Sequence, residues 1–303
     1  MPVIVRKSVA VVLAILAVLA AGLGLGARTA NLVVNTPEPL QRILGPLATN
    51  EQLREILPAE LGAQLTTQIT NSVPVPRPLQ GVLETAISTS GAALITDPGF
   101  ATAWNATIEN TRRDYVAKLK SAAETGTQEA TLELDLAPLV TSAYGTLHAS
   151  LDGSALGRLL PQAIDVPPVV VDTNWPQADT LSAGAANRWL SLAEGWGWLL
   201  ATAAVLLAGA LLLAPRGFRG RVFIVTGGAA LVLAAVLIVF GSNLSGMPVQ
   251  GSELTQLVVA QLATGVQAEL QVISNTLIIG GVLALLAALG TWIWRKENPV
   301  TLG

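Results

Sequence analysis

The chain has 303 residues, 51% of them hydrophobic and only 12% charged, with a formal net charge of −3. An average soluble domain carries about 25% charged residues, so this chain lacks the charge to cover a globular surface, and much of that surface must face lipid. It has no cysteine, which excludes disulfides, thiolate metal sites and a cysteine nucleophile; with His148 as the lone histidine, most histidine-based metal sites and triads go as well.

Four runs approach the roughly 20 residues needed to cross a hydrocarbon core. They are Ser8 to Gly26, Gly195 to Ala214, Val222 to Phe240 and Thr276 to Trp294, and none holds an Asp, Glu, Lys, Arg or His. Trp196 and Trp198 open the second run, and Trp292 and Trp294 close the fourth, as interfacial anchoring requires. Arg6 and Lys7 precede the first run, Arg216, Arg219 and Arg221 separate the second from the third, and Arg295 and Lys296 follow the fourth. The stretch 241–275 has no Lys or Arg, only Glu253 and Glu269. The bias of Lys and Arg toward the cytoplasmic side puts both termini and the Arg-rich turn inside, in the plasma membrane of a cell, with the main domain outside. A charged start before an apolar run is also the pattern of a cleaved signal, but Arg28 interrupts the small-x-small site, so retention is expected.

The expected organisation is a cytoplasmic start and first span over 1–27, an extracytoplasmic domain over 28–190, and two spans with their turn over 191–240. An outer loop over 241–275 and a fourth span with a cytoplasmic tail over 276–303 complete it.

Within the outer domain, residues 36–95 read as helical. Thr49-Asn50-Glu51 introduces a helix with Leu53, Ile56, Leu57, Leu61 and Leu65 at helical spacing. Three prolines in 73–78 force a break, a second helix runs from Leu79 to Ile95, and Asp97-Pro98-Gly99 ends it. From Phe100 to Lys120 the residues Phe100, Trp104, Ile108, Tyr115 and Leu119 share one face. The period then changes. Ala130, Leu132, Leu134 and Leu136 alternate with Glu129, Thr131, Glu133 and Asp135, the pattern of a half-buried strand. Pro138 begins a helix through Leu151, and Ile164 to Val171 is a second strand candidate, confined to an edge or bulge by Pro167 and Pro168. Helical pattern resumes near Asp179. The expected fold is four transmembrane α-helices plus a mostly helical α+β extracytoplasmic domain with a small β-sheet. In the later loop, Leu254, Val258, Leu262, Val266 and Leu270 form an amphipathic stripe leading into the fourth span, able to pack on the outer domain or lie on the membrane.

The segment FATAWNATIENTRRDYVAKLKS, followed by ATLELDLAPLV and PQAIDVPPVVV, resembles uncharacterised actinobacterial four-span integral membrane proteins. Their extracytoplasmic domain shares an F-x-x-x-W helix and an L-D-L-x-P strand. The resemblance runs from Thr36 to the fourth span and implies fold and location rather than activity. It implies core positions for Phe100, Trp104, Leu134 and Leu136. Where that pattern has a histidine one turn past the tryptophan, this chain has Arg112 and Arg113, which argues against shared histidine chemistry.

Glu129, Glu133 and Asp135, with Asp165 and Asp172 near them, offer oxygen ligands of the kind calcium takes, but without an EF-hand pattern; a solvated face is expected. His148, four residues after Tyr144, has neither a cysteine nor a serine elbow to serve. Arg112, Arg113, Lys118 and Lys120 form a small basic cluster, yet residues 28–190 hold 10 basic and 16 acidic side chains, which excludes nucleic acid as a partner. Asn105-Ala106-Thr107 fits the glycosylation pattern but falls inside a helix. Gly22 with Gly26, Gly227-Gly228 and Gly280-Gly281 mark close helix contacts. No catalytic, cofactor or metal residue is assigned, and no nucleotide loop is present. The expectation is a non-enzymatic envelope membrane protein whose outer domain binds or positions a partner in the envelope, a membrane protein or a second copy. The alternative, by topology alone, is a permease-like or regulatory subunit of an ABC-type complex of MacB- or FtsX-like layout.

Overall fold

The structure is a computed structural model and describes residues 3–72, 77–125, 133–154, 157–158, 169–170, 183–215, 217–244 and 252–297. In chain order the helices are α1 (Val3–Asn35), α2 (Glu38–Leu44), α3 (Glu51–Ser72), α4 (Arg77–Thr96) and α5 (Phe100–Thr125). They continue with α6 (Ala137–Ser150), α7 (Ala183–Glu194), α8 (Trp196–Leu213), α9 (Arg219–Leu244) and α10 (Glu253–Glu297). They fall into two compact units.

The first unit comprises Met1–Leu32, Arg188–Met247 and Ala263–Gly303. Helices α1, α8, α9 and α10 are each long and apolar enough to cross a membrane. Between 11% and 28% of the most apolar stretch of each is buried against protein. The rest points Ile4, Val205, Val232, Ile279 and Leu283 outward. Each such side chain would lose roughly 1.5–3 kcal/mol of burial energy if water surrounded it, so lipid is its solvent: this is a membrane protein.

Small residues let these helices approach. Ala10 and Ala14 of α1 cluster with Ala210 and Ala214, and with Val222 of α9. A Cβ at Gly22 would stand 2.6 Å from Leu233, and one at Gly24 would stand 2.7 Å from Leu200, whereas Gly26 faces open space. The close approaches of α1 therefore fall on two sides of the helix, at Gly22 toward α9 and at Gly24 toward α8, rather than on one face at the expected Gly22 and Gly26. On α9 and α10 the meeting pair is Gly227 and Gly281, while Gly228 and Gly280 have nothing against them. A Cβ at Gly227 would lie 2.7 Å from the Gly281 carbonyl and 2.8 Å from Leu285. Gly227→Val is therefore expected to cost about 1–3 kcal/mol of overpacking, with Gly228→Val near neutral. Thermal unfolding of both variants in one detergent checks it, and equal melting temperatures would refute it.

The second unit comprises Val33–Asn187 and Pro248–Leu262. Its centre is a row of wholly buried side chains on α3: Leu53, Leu57, Leu61, Leu65 and Ile69. Four-residue spacing places them on one face, against Leu83, Ile87 and Leu94 of α4 and Leu139, Val140, Ala143 and Leu147 of α6. Asn50 starts α3: its Oδ1 accepts from the Gln52 N–H at 2.8 Å and the Leu53 N–H at 3.3 Å, two donors that the first helical turn leaves unpaired. Phe100, Trp104 and Ile108 of α5 close another side of the core. The first turns of α10 close it further, since Leu254, Val258 and Val259 are buried among the same residues. Gln261 Nε2 donates to the Ile43 carbonyl at 3.0 Å. The stripe from Leu254 thus belongs to a helix that runs unbroken to Glu297.

The expectation of an α+β domain with a small sheet is overturned. Among the described residues, extended pairing is limited to one antiparallel bridge of two residues a side, Glu133 opposite Val170 and Leu134 opposite Val169; the rest of the unit's regular structure is helical. Two pairs do not make a sheet with a packed face. Residues 129–132, 164–168 and 171 of the expected strands lie outside the described residues. The early end of the extended stretch has a local cause. The Asp135 N–H donates to Thr111 Oγ1 at 2.9 Å, and Asp135 Oδ1 accepts from the Ala137 N–H at 2.9 Å. The backbone is thereby turned into α6, and Leu136 is buried as the residue before that helix rather than as strand core. On the partner side Pro167 and Pro168 have no N–H to extend a ladder.

Candidate functional site

Of the acids expected to share a strand face, Asp135 is the one whose side chain is described. Glu129, Asp165 and Asp172 lie outside the described residues. Asp135 spends both oxygens within the fold, Oδ2 accepting from Asn110 Nδ2 at 3.1 Å and Oδ1 capping α6. Among the described residues no three His, Asp or Glu side chains group closely enough to hold a metal ion.

Of the basic cluster, Arg112 is drawn into the fold by Glu109. Glu109 accepts from Arg112 Nε and Nη2, both at 2.8 Å, and from Arg113 Nε at 2.8 Å. The Arg112 and Glu109 side chains are only 11% and 15% exposed. Arg112 bonding, offset in part by burial, holds the Glu109 carboxyl below its usual range, and the same bonding raises Arg112. Arg112 Nη1 also donates to the Val34 carbonyl in the last turn of α1, where a cation meets both an unpaired acceptor and the negative helix end. Lys118 is half-buried and Lys120 exposed.

His148 is half-buried with its ring 6.4 Å from that of Tyr144. Burial raises the Tyr144 phenol above its ordinary value. In the Asn105-Ala106-Thr107 triplet Thr107 is fully buried, its hydroxyl without a hydrogen-bond partner. That geometry closes the triplet to a glycosylating enzyme.

The feature that sequence reasoning missed is a surface groove of about 860 Å³ between α3 and the start of α10. Gln52, Glu55, Ile56, Ala59 and Glu60 line one wall, and Glu253, Gln256 and Leu257 the other. A second hollow of about 330 Å³ between α3 and α4 shares Glu55 and Ala59 and adds Glu84. Neither lining contains a Lys or Arg. The groove exists because the leucines of α3 turn inward at every fourth position. Glu55 and Glu60 are thereby left on the outer flank, and α10 brings Glu253 opposite them. Only the separation in sequence, about 200 residues, hid this pairing: each acid reads as an ordinary helix surface residue. Carboxylates around Ile56 and Leu257 suit recognition of a cationic, partly apolar surface.

The described chemistry defines a membrane protein with a helical unit that bears an acidic groove. No protein-family model matches this chain, and no curated protein or solved structure does.

Proposed function

We propose that this is a non-enzymatic integral membrane protein of the bacterial cell envelope whose helical unit binds or positions another envelope protein. The observation that carries this reading is the α3–α10 groove, with Glu55, Glu60 and Glu253 around an apolar floor and no cation in its lining. Charge complementarity commits its occupant to a basic amphipathic segment of a partner protein. Both termini and the turn between α8 and α9 are cytoplasmic in this proposal, and residues 28–190 and 241–275 lie outside. The distribution of Lys and Arg supports that orientation. So does the Lys7 ammonium over the Phe218 ring, which brings the start of α1 to that turn. The resemblance of Phe100–Ser121 and Ala130–Val140 to actinobacterial membrane proteins supports the bacterial setting.

Affinity purification of the full chain in mild detergent tests the proposal, with Glu55→Lys/Glu60→Lys/Glu253→Lys beside the wild type. The wild type is expected to retain a partner with a basic segment that crosslinks to α3. The triple variant, with like charges now opposed, should lose it by more than about tenfold. Recovery of the chain without a partner, or equal recovery from both proteins, would remove the reading.

A further inference from the structure

The turn between α8 and α9 carries a feature of its own. Phe218, in the turn between α8 and α9, packs against the cluster of Ala10, Ala14, Ala210, Ala214 and Val222. Its ring is shared by two cations from different helices. The Lys7 ammonium of α1 stands 5.7 Å from the ring centroid, and the Arg221 guanidinium of α9 stands 5.6 Å from it. The two charges are therefore no further apart than those distances together allow. Arg219, exposed on the same turn, adds a third.

Each cation gains from the ring's negative face, but the cations repel one another, and the described side chains of α1, α8 and α9 include no carboxylate to offset them. An external anion would offset that repulsion. On the membrane side of the charges, Val12, Leu212 and Ile224 are all more than half exposed. A ligand there meets positive charge at one end and bare hydrocarbon along its length, which is the chemistry of a phospholipid and not of free phosphate.

We propose that Lys7, Arg219 and Arg221, organised by Phe218, form a binding site for the phosphate headgroup of an anionic phospholipid. The lipid's acyl chains lie along the apolar flank of α1, α8 and α9. This site is independent of the groove and of any partner protein.

Native mass spectrometry of the full chain, released from detergent with phosphatidylglycerol or phosphatidylcholine added, reads the binding directly. The wild type is expected to retain phosphatidylglycerol in preference to phosphatidylcholine, and inorganic phosphate should not compete. Each basic residue near an anionic surface contributes about a fivefold factor, so Lys7→Ala/Arg221→Ala should weaken retention on the order of 30-fold. Removing those charges can also upset insertion, so Phe218→Leu serves as the second variant. It keeps every cation and should still lose selectivity, because the ring no longer gathers them. Equal retention of the two lipids by the wild type would overturn the proposal. Displacement by inorganic phosphate, or unchanged selectivity in Phe218→Leu, would overturn it too.

Discussion

Trp104→Ala is expected to bring the helical unit to the edge of unfolding. The indole is 1% exposed and belongs to the same buried core as Phe100, Ile108 and Leu44 of α2. Its Nε1–H donates to the Leu44 carbonyl at 2.9 Å, one of the acceptors that the end of α2 cannot pair within the helix. Truncation removes the largest side chain in the core and leaves a cavity, which costs about 3–5 kcal/mol. It also removes a buried hydrogen bond, which adds roughly 0.5–1.5 kcal/mol. A domain has only about 5–15 kcal/mol to lose. Trp104→Phe keeps most of the volume and forfeits the hydrogen bond, so it should lose about half as much or less. Limited proteolysis of the full chain in detergent separates them, with α3–α6 becoming cleavable in Trp104→Ala first. Equal resistance of wild type and Trp104→Ala would show that this tryptophan does not hold the unit together.

How legible was this architecture from residues alone? The lipid-facing helices were, because a run of twenty uncharged apolar residues has few other uses. The α3 face was too: Leu53, Leu57, Leu61 and Leu65 repeat at the helical period, and Asn50 stands at the cap. Alternation at Glu129–Leu136 misled, since a period of two says that a strand could bury one face, not that a neighbour exists to pair with it. Asp135 had stronger local claims, to Asn110, Thr111 and Ala137. Spacing also failed at Gly22 and Gly26. Four residues apart puts both on one side of a helix, but only the neighbouring Leu233 and Leu200 decide which glycines are crowded. Arg112 and Arg113 read as one basic patch, yet their common partner, Glu109, sits one helical turn earlier in the same segment. That signal was present in the i,i+3 and i,i+4 spacing. The groove was not, because α10 reaches α3 from the far end of the chain.

That Glu109 ion pair sets the other large expected effect. Arg112 makes two parallel bonds to the carboxylate and a further one to the Val34 carbonyl, so Arg112→Ala leaves a mostly buried carboxylate with only the exposed Arg113 for company. Breaking a fully buried pair from one side costs about 3–5 kcal/mol; for this partly buried one the expected loss is about 1–3 kcal/mol. Arg112→Lys keeps the charge but not the fork, and should recover only part of the loss. The pH dependence follows from the direction of the Glu109 shift. Its folded pKa lies below the unfolded one, chiefly through the Arg112 bonds, so the unfolded chain takes up the proton first as pH falls. The stabilisation is complete above the ordinary carboxylate value and drains away as pH drops through the lowered one. Glu109→Gln has no such carboxylate. Its melting temperature should lie below that of the wild type at neutral pH, and the gap should narrow in acid. Melts of both proteins across that range, in a single detergent, read the gap directly. A gap that stays constant would mean that the pair contributes through packing alone, and that the arginine at the end of α1 is held by something other than charge.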